Sequence, residues 1–357
     1  MASKSSGLHL PTSAADLTAE FLTQALAEHT AGARVLAVSA EPIGTGQVAE
    51  TRRLSLSWDT ANAGPSELVA KVPSTNPISL NAARTMRNYE LEVIFYRDLA
   101  ATVDVNCPSC FFADHDELTD GFALLLADQK PAVQGDQLRG CSSDQAAAAV
   151  DELVGLHAPR WNDSTLEGCD LAWLNRGGQA GAEFAQLVAG LFPEFLERYE
   201  DRLSPELART VNWLGENLTA YLAERQGPRT LTHNDFRLDN LLFGADRVAV
   251  VDFQTVSYGY PLADLAYFVG GSLLPEARAE HERELVEQYQ QGLLAHGIEL
   301  SWTDCWEWYR RYAFEGLLMA VMASMGVERT ERGDEMFMVM AQRSGTHAEE
   351  LESAAVI

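Results

Sequence analysis

The sequence predicts an α+β chain in two lobes, a small β-rich N-terminal part and a larger, mainly helical C-terminal part. Three observations predict it. Between residues 34 and 58, apolar and polar residues alternate in two runs, as they do in half-buried strands. After GFALLLAD at 121–128 the composition changes: QKPAVQGDQLRGCSSDQ is polar, contains Gly and Pro, and reads as a linker. From residue 143 onward apolar residues recur at helical spacing. A length of 357 residues fits one large domain or two lobes. The expected division is an N-terminal lobe over 1–128, with 1–12 a loose tail, and a C-terminal lobe over 129–357.

In chain order, residues 15–28 read as an amphipathic helix that Thr12 or Ser13 could cap. ARVLAVSAEPI and AETRRLSLSW are strand-like and flank Gly44, Thr45, Gly46 and Gln47. That loop reads equally as a hairpin turn or a cover over phosphates; no Gly-Lys-Ser/Thr follows, so it is not a Walker A loop. In SELVAKVPS, Lys71 stands alone among strand neighbours that are apolar. It is either an exposed edge lysine or a lysine aimed at phosphates. The next helix favours the second reading. In NYELEVIFYRDLA, Glu92 shares a face with Phe95, Tyr96 and Leu99, and a carboxylate on an apolar face needs a partner. Glu90 instead shares a face with Arg97. Lys71 and Glu92 are therefore expected to pair.

GFALLLAD is expected to be a buried strand. Val150, Leu153, Val154 and His157 line one helical face, and His157 reads as a core or helix-end histidine. Residues 180–225 read as two helices. Trp302, Trp306, Tyr309 and Ala313 form an aromatic stripe that is either core or the wall of an apolar pocket.

The formal net charge of −26 sets the whole chain against polyanions, so nucleic acid and anionic membranes are not expected partners. No apolar run is long enough to span a bilayer, and MASKSSGLHLPTSAADL lacks the apolar segment of a signal peptide. Five cysteines, an odd number, point to reduced thiols in a cytoplasmic protein. Cys107 and Cys110 have C-x-x-C spacing but lack the further ligands of a zinc site and the setting of a redox motif.

Chemistry concentrates between Leu231 and Asp264, in LTHNDFRLDNLLFGADRVAVVDFQTVSYGYPLAD. Two apolar runs, Asn240–Phe243 and Val248–Val251, flank Gly244-Ala245-Asp246 and read as a β-hairpin. His233, Asp235 and Asn240 precede the first strand, and Asp252 follows the second. Such a hairpin would bring Asn240 and Asp252 to one end. Magnesium takes oxygen ligands and accepts one or two protein carboxylates beside nucleotide phosphates, which suits Asn240 and Asp252. Asp235, five residues before Asn240, suits a proton acceptor for an attacking hydroxyl.

The spacing H-x-D-x-x-x-x-N followed by V-D-F resembles the kinase catalytic loop and its metal-binding Asp, with Asn234 where protein kinases usually carry Arg. Taken with GTGQVAETRRLSLSW, ELVAKVPS, YELEVIFYRDLA, FALLLADQ, GDQLRGCS and LHAPRW, it makes the chain similar to the aminoglycoside phosphotransferase and choline kinase superfamily. The nearest likeness is to its ecdysteroid-kinase-like branch. The resemblance implies a two-lobed, protein-kinase-like fold and an ATP-dependent kinase acting on a small-molecule hydroxyl. It implies Asp235 as catalytic base, Asn240 and Asp252 as Mg2+ ligands, and Lys71, held by Glu92, on the ATP phosphates. Gly44, Thr45, Gly46 and Gln47 would cover the nucleotide, and backbone groups from Leu126 to Asp128 would meet the adenine edge. Arg237 would steady either the loop or the transferring phosphate, and Asp264 would brace the loop. Three acceptor classes fit: a sterol-like alcohol, a hydroxyacyl thioester, for which Arg310-Arg311 is a small basic candidate, or an amino-sugar or amino-alcohol. The alternative is a nucleotide-binding pseudokinase that transfers nothing.

Overall fold

The computed structural model describes residues 7–44, 48–169 and 178–357. Thr45, Gly46 and Gln47 of the glycine loop lie outside the described residues. The chain divides into two compact units. Unit 1 takes Met1–Ala101, Cys107–Pro131 and Asp252–Gln254; unit 2 takes Thr102–Asn106, Ala132–Val251 and Thr255–Ile357.

Unit 1 opens with helix α1, Ala19–Ala25, which starts where the Thr18 hydroxyl accepts the Phe21 N–H at 3.2 Å. The expected helix over 15–28 is thus shorter and capped later. Ser13 begins a separate 3-10 turn, Ala14–Asp16, held by the Asp16 carboxylate accepting the Thr12 and Ser13 N–H groups. Strands β1 (Val35–Pro42), β2 (Ala49–Trp58) and β3 (Glu67–Pro73) come next. Helices α2 (Pro77–Thr85) and α3 (Asn88–Ile94) follow, then β4 (Cys110–Asp116) and β5 (Gly121–Ala127). The strands form one antiparallel sheet in the order β1-β2-β3-β5-β4. Leu68, Ala70 and Val72 alternate onto one face of β3 and pack with Leu22, Leu26, Leu54 and Leu125 in a fully buried core. Each such leucine contributes roughly 1.5–3 kcal/mol. The period of two leaves Lys71 on the other face of β3.

The first strand of unit 2 is β6, Val133–Gln134, inside the segment expected to be only a linker. Helices α4 (Ser143–His157), α5 (Gly178–Ala189), α6 (Leu191–Arg198) and α7 (Pro205–Ala223) follow. Residues 180–225 therefore hold parts of three helices, not two, with Gly190 and Ser204-Pro205 as the breaks. Next come β7 (Thr230–Thr232), β8 (Leu241–Phe243), β9 (Val248–Val250) and β10 (Ser257–Gly259). The unit ends in α8 (Pro261–Ser272), α9 (Pro275–Ala295), α10 (Trp302–Arg311), α11 (Glu315–Gly326) and α12 (Glu331–Glu350). The expected hairpin is present: Leu241 pairs with Val250 and Phe243 with Val248. β6 adds a third strand by pairing with β8, and β7 pairs with β10. α8 is buried along its whole length, which its nearly unbroken apolar sequence demands. Small residues let its neighbours approach: a Cβ on Gly270 would overlap the His347 ring of α12.

The aromatic stripe is a stack on α10. Trp302–Trp306 and Trp306–Tyr309 ring centroids are 5.4 Å apart, and the Arg283 guanidinium lies 4.7 Å from the Trp302 ring. Arg310 and Arg311 do not form a free basic cluster. Arg310 donates to the Leu351 and Glu352 carbonyls, and Arg311 to those of Val356 and Glu224. Among the described residues no helix is long and apolar enough to cross a membrane.

Candidate active site

Each unit holds part of the predicted constellation. In unit 2 the loop 233–240 lies between β7 and β8. Its first backbone groups are fixed by Asp264 from the first turn of α8. That carboxylate accepts the N–H of His233 at 2.6 Å and of Asn234 at 2.7 Å, and it contacts His157 Nε2 at 3.2 Å. His157 Nδ1 in turn meets the Tyr289 hydroxyl at 2.9 Å. His157 is thus the core histidine the sequence suggested, and it also orients Asp264. His233 Nδ1 accepts the Asp235 N–H, and its Nε2 donates to the Val251 carbonyl at 3.1 Å. Asn234 adopts a left-handed φ of +62°, which Asn tolerates better than most residues. Its amide donates to the Thr255 carbonyl at 2.6 Å and to Ser257 Oγ at 2.9 Å.

The Asp235 carboxylate accepts three donors. Tyr267 Oη donates to Oδ1 at 2.8 Å, Arg237 Nε to Oδ1 at 3.1 Å, and Asn240 Nδ2 to Oδ2 at 2.9 Å. Burial and the neighbouring Asp235 hold the Tyr267 phenol well above its ordinary value, so it remains a donor. Arg237 also donates to Asp239 Oδ2 at 2.6 Å. Burial works against its charge, but Asp235 and Asp239 more than offset that and raise its pKa. The Asn240 amide nitrogen is spent on Asp235. Its Oδ1 makes no hydrogen bond among the described residues, which leaves one hard oxygen donor for a cation. Among the described residues no three His, Cys, Asp or Glu side chains cluster as metal ligands.

In unit 1 Lys71 bridges two carboxylates. Its Nζ donates to Glu92 Oε1 at 2.6 Å and to Asp252 Oδ1 at 2.7 Å. Glu92 is 1% exposed and Asp252 22%. Burial, the dominant influence, pushes the Glu92 carboxyl up to about 7 against the pull of Lys71. The Lys71 ammonium is raised despite its burial, chiefly by Asp252 and then Glu92. Asp252 is the wetter of the two acids. It sits at a left-handed φ of +70°, so the short acidic side chain meets a backbone need as well as a chemical one. The following Phe253 stacks on Phe95 at 3.5 Å.

Other predicted residues fall as follows. Glu90 pairs with Arg87, not Arg97, because the helix loosens into a π-helical turn at Phe95–Leu99 and the expected spacing is lost. Arg97 forks onto Asp98. Leu126 is buried in β5, with Val69 and Cys110 as its cross-strand partners. The Asp128 carboxylate is gripped by Arg53 at 2.6 Å. Gly44 has φ +74°, a turn conformation that suits glycine. The Cys110, Cys141 and Cys305 thiols are pushed up to about 12 by burial and stay neutral, as structural cysteines do.

Sequence reasoning missed Tyr267, although its place three residues after Asp264 on one helix puts both on the same face. It also missed Gln137. That side chain is 1% exposed; its Oε1 accepts the Leu238 N–H at 3.0 Å, and its backbone N–H donates to Asp239 Oδ1 at 3.0 Å. Nothing in a polar, turn-rich segment announces such a buried residue.

A cavity of about 50 Å³ opens beside the loop, wholly within unit 2. Asn234, Ala263, Asp264 and Tyr267 line the loop side, and Phe184, Leu318, Met319 and Met322 line the apolar side. Arg225 and Glu315 complete it. No residue of the aromatic stripe lines this cavity; the next helix, α11, does.

A family model described as "Phosphotransferase enzyme family" matches residues 53–312. Among solved structures, choline kinase from Cryptosporidium parvum Iowa II aligns with a TM-score of 0.59 and 10% identity, over 89% of this chain and 90% of that one. An ethanolamine kinase from Plasmodium vivax aligns at 0.53 and 10%, covering 90% and 84%. A putative aminoglycoside phosphotransferase from Ralstonia eutropha aligns at 0.51 and 17%, covering 92% and 97%. These likenesses show the kinase-like α+β fold. Among curated proteins, mouse acyl-CoA dehydrogenase family member 10 is 27% identical over 165 residues, 42% of this chain and 15% of that protein. Human acyl-CoA dehydrogenase family member 11 is 27% identical over 124 residues, 34% of this chain and 14% of that protein. The matched stretch is thus a small part of each curated relative.

Proposed function

This chain belongs to the phosphotransferase enzyme family, and on that premise we propose that it is an ATP-dependent kinase for a small-molecule alcohol. The observation that carries the proposal is the Asp235 carboxylate, held by Tyr267, Arg237 and Asn240, with Tyr267 and the preceding Asn234 lining a cavity. Three donors fix its direction while leaving it an oxygen acceptor. In the proposed reaction the acceptor hydroxyl oxygen bonds to the γ-phosphorus of ATP. The bond from that phosphorus to the bridging oxygen breaks, and its electron pair leaves on ADP. The hydroxyl proton passes to Asp235 and on to solvent.

Lys71 is the residue we assign to the ATP phosphates, with Glu92 fixing its ammonium. Backbone groups between Leu126 and Asp128 are assigned to the adenine edge, and the 44–47 loop to nucleotide cover. Magnesium would neutralise phosphate charge; Asn240 Oδ1 and the Asp252 carboxylate are the oxygen donors we assign to it, each to be tested separately. Arg237, fastened to Asp235 and Asp239, is assigned to the geometry of the loop. Most of the rate would come from orientation and charge stabilisation. We keep three acceptor classes in view: amino-alcohols or amino-sugars, for which relatives named for choline, ethanolamine and aminoglycosides speak, hydroxyacyl thioesters, for which one named for acyl-CoA speaks, and the sterol-like alcohols suggested by sequence alone.

Asp235→Asn keeps the shape and removes the basic oxygen. ADP formation with an accepted alcohol should fall about 10²–10⁴-fold while the KM for ATP changes little. Undiminished turnover would remove Asp235 from the chemistry. Asp252→Ala should lose activity by orders of magnitude even at saturating magnesium; full activity there would cancel its metal assignment.

A further inference from the structure

The lining of the unit 2 cavity has a charge pattern that bears on what the acceptor is. Two acids face it, and both are matched. Asp264 is 1% exposed and already accepts two backbone N–H groups beside His157. Glu315 Oε1 accepts the Arg225 guanidinium and, at 2.6 Å, the Tyr221 hydroxyl. Arg225 is held in a box of tyrosine faces, 5.5 Å from the Tyr221 ring, 5.7 Å from Tyr312 and 5.8 Å from Tyr260. Glu315 first, then these tyrosines, keep it charged against the cost of burial. The remaining wall is Phe184, Ala263, Leu318, Met319 and Met322, of which the two methionines are half-buried and can adapt to the shape of a guest.

We propose that the acceptor presents to this cavity a neutral hydrocarbon segment bearing the hydroxyl, so that the enzyme phosphorylates hydroxylated aliphatic compounds and discriminates against cations. The inference rests on the phosphotransferase reading and deepens it. A cationic amine in the cavity meets the fixed charge of Arg225, and both facing acids are already engaged. Burying it there without a matched carboxylate is unfavourable. A hydrocarbon segment meets side chains that lose nothing by contact with it. The hydroxyl reaches the edge where Tyr267 touches Asp235, and the volume of about 50 Å³ holds roughly three to five water-sized groups. A free alcohol and a hydroxyacyl thioester share this chemistry.

The test uses the full chain with ATP, magnesium and four acceptors: hexanol, a hydroxyhexanoyl thioester, choline and gentamicin. ADP release is followed in parallel with methyl NMR of Met319 and Met322. The expected result is a kcat/KM at least about tenfold higher for one of the two hydrocarbon acceptors than for choline or gentamicin, with shifts of both methionine methyls. The ratio between hexanol and the thioester identifies the source. Met319→Glu places an unmatched carboxylate in the cavity and should lower the hydrocarbon preference about tenfold. Preference of the wild-type protein for either cation overturns the proposal, whatever the variant does. So does turnover of a hydrocarbon acceptor without methyl shifts, which would put the acceptor elsewhere. Methyl shifts with the alcohols but no ADP from any acceptor would leave the cavity assignment standing and sink the phosphotransferase reading instead.

Discussion

At the scale of single residues, the contact between Lys71 and Glu92 was legible because each charge falls on a face where it cannot stand alone. The Asp252 end of that bridge was not, since 181 residues separate it from Lys71 and no local pattern links them. Nor was the left-handed backbone at Asn234 and Asp252, which is set by the loops around them. The shared lysine has a consequence for stability. Glu92 titrates near 4.5 when unfolded and at about 7 when folded, because burial disfavours its charge. Between those values the folded protein binds more protons than the unfolded one, so this group's contribution to stability is lost as pH rises through the window. Glu92→Gln removes the titration. Its melting temperature relative to wild type should rise between pH 5 and pH 8; a constant difference would mean that Glu92 ionises at its ordinary value.

At the scale of elements, strands and helices followed their periodicity, and the errors cluster where backbone geometry departs from it. The π-helical turn at Phe95–Leu99 reassigned Glu90, and Gly190 split one expected helix. The segment after Asp128 failed differently. Its polar composition hides β6 and the buried Gln137, whose Nε2 donates to the Gly271 carbonyl at the end of α8. Arg343 of α12 closes the arrangement by donating to the carbonyls of Gln137 and Gly271, at 2.8 and 3.0 Å, and of Leu138 at 2.9 Å. Gln137 is therefore a positioning residue for the Leu238–Asp239 turn and, through Arg237, for Asp235. Gln137→Ala should destabilise the protein by about 1–3 kcal/mol for the polar groups left unpaired. It should also cut kcat about ten- to a hundredfold with little change in the KM for ATP. A variant with lowered melting temperature but unaltered kcat would make Gln137 purely structural.

At the scale of the molecule, the α+β class and the family were legible from motif order, because the motifs are short, ordered and bound to strands and helices of the right kind. The proposed acceptor cavity was not, because it draws on α5, the turn after α7, Asn234, α8 and α11, which only the fold assembles. The net charge of −26 bears on the proposed use of ATP. An anionic nucleotide approaches against the overall field, which reaches about 30 Å at 0.01 M salt and about 8 Å at 0.15 M. Its association rate constant, measured by stopped flow, should therefore increase with ionic strength; a decrease would show that local basic groups govern encounter. The interleaved make-up of unit 1 acts earlier in the life of the chain. Phe253, fully buried against Phe95, and Asp252, the second partner of Lys71, come from a stretch that ribosomes reach about 120 residues after Pro131. At about 5–20 residues per second, the nascent sheet waits roughly 6–24 s for those side chains. In that interval the Phe95 ring lacks the cover that Phe253 gives it in the finished protein.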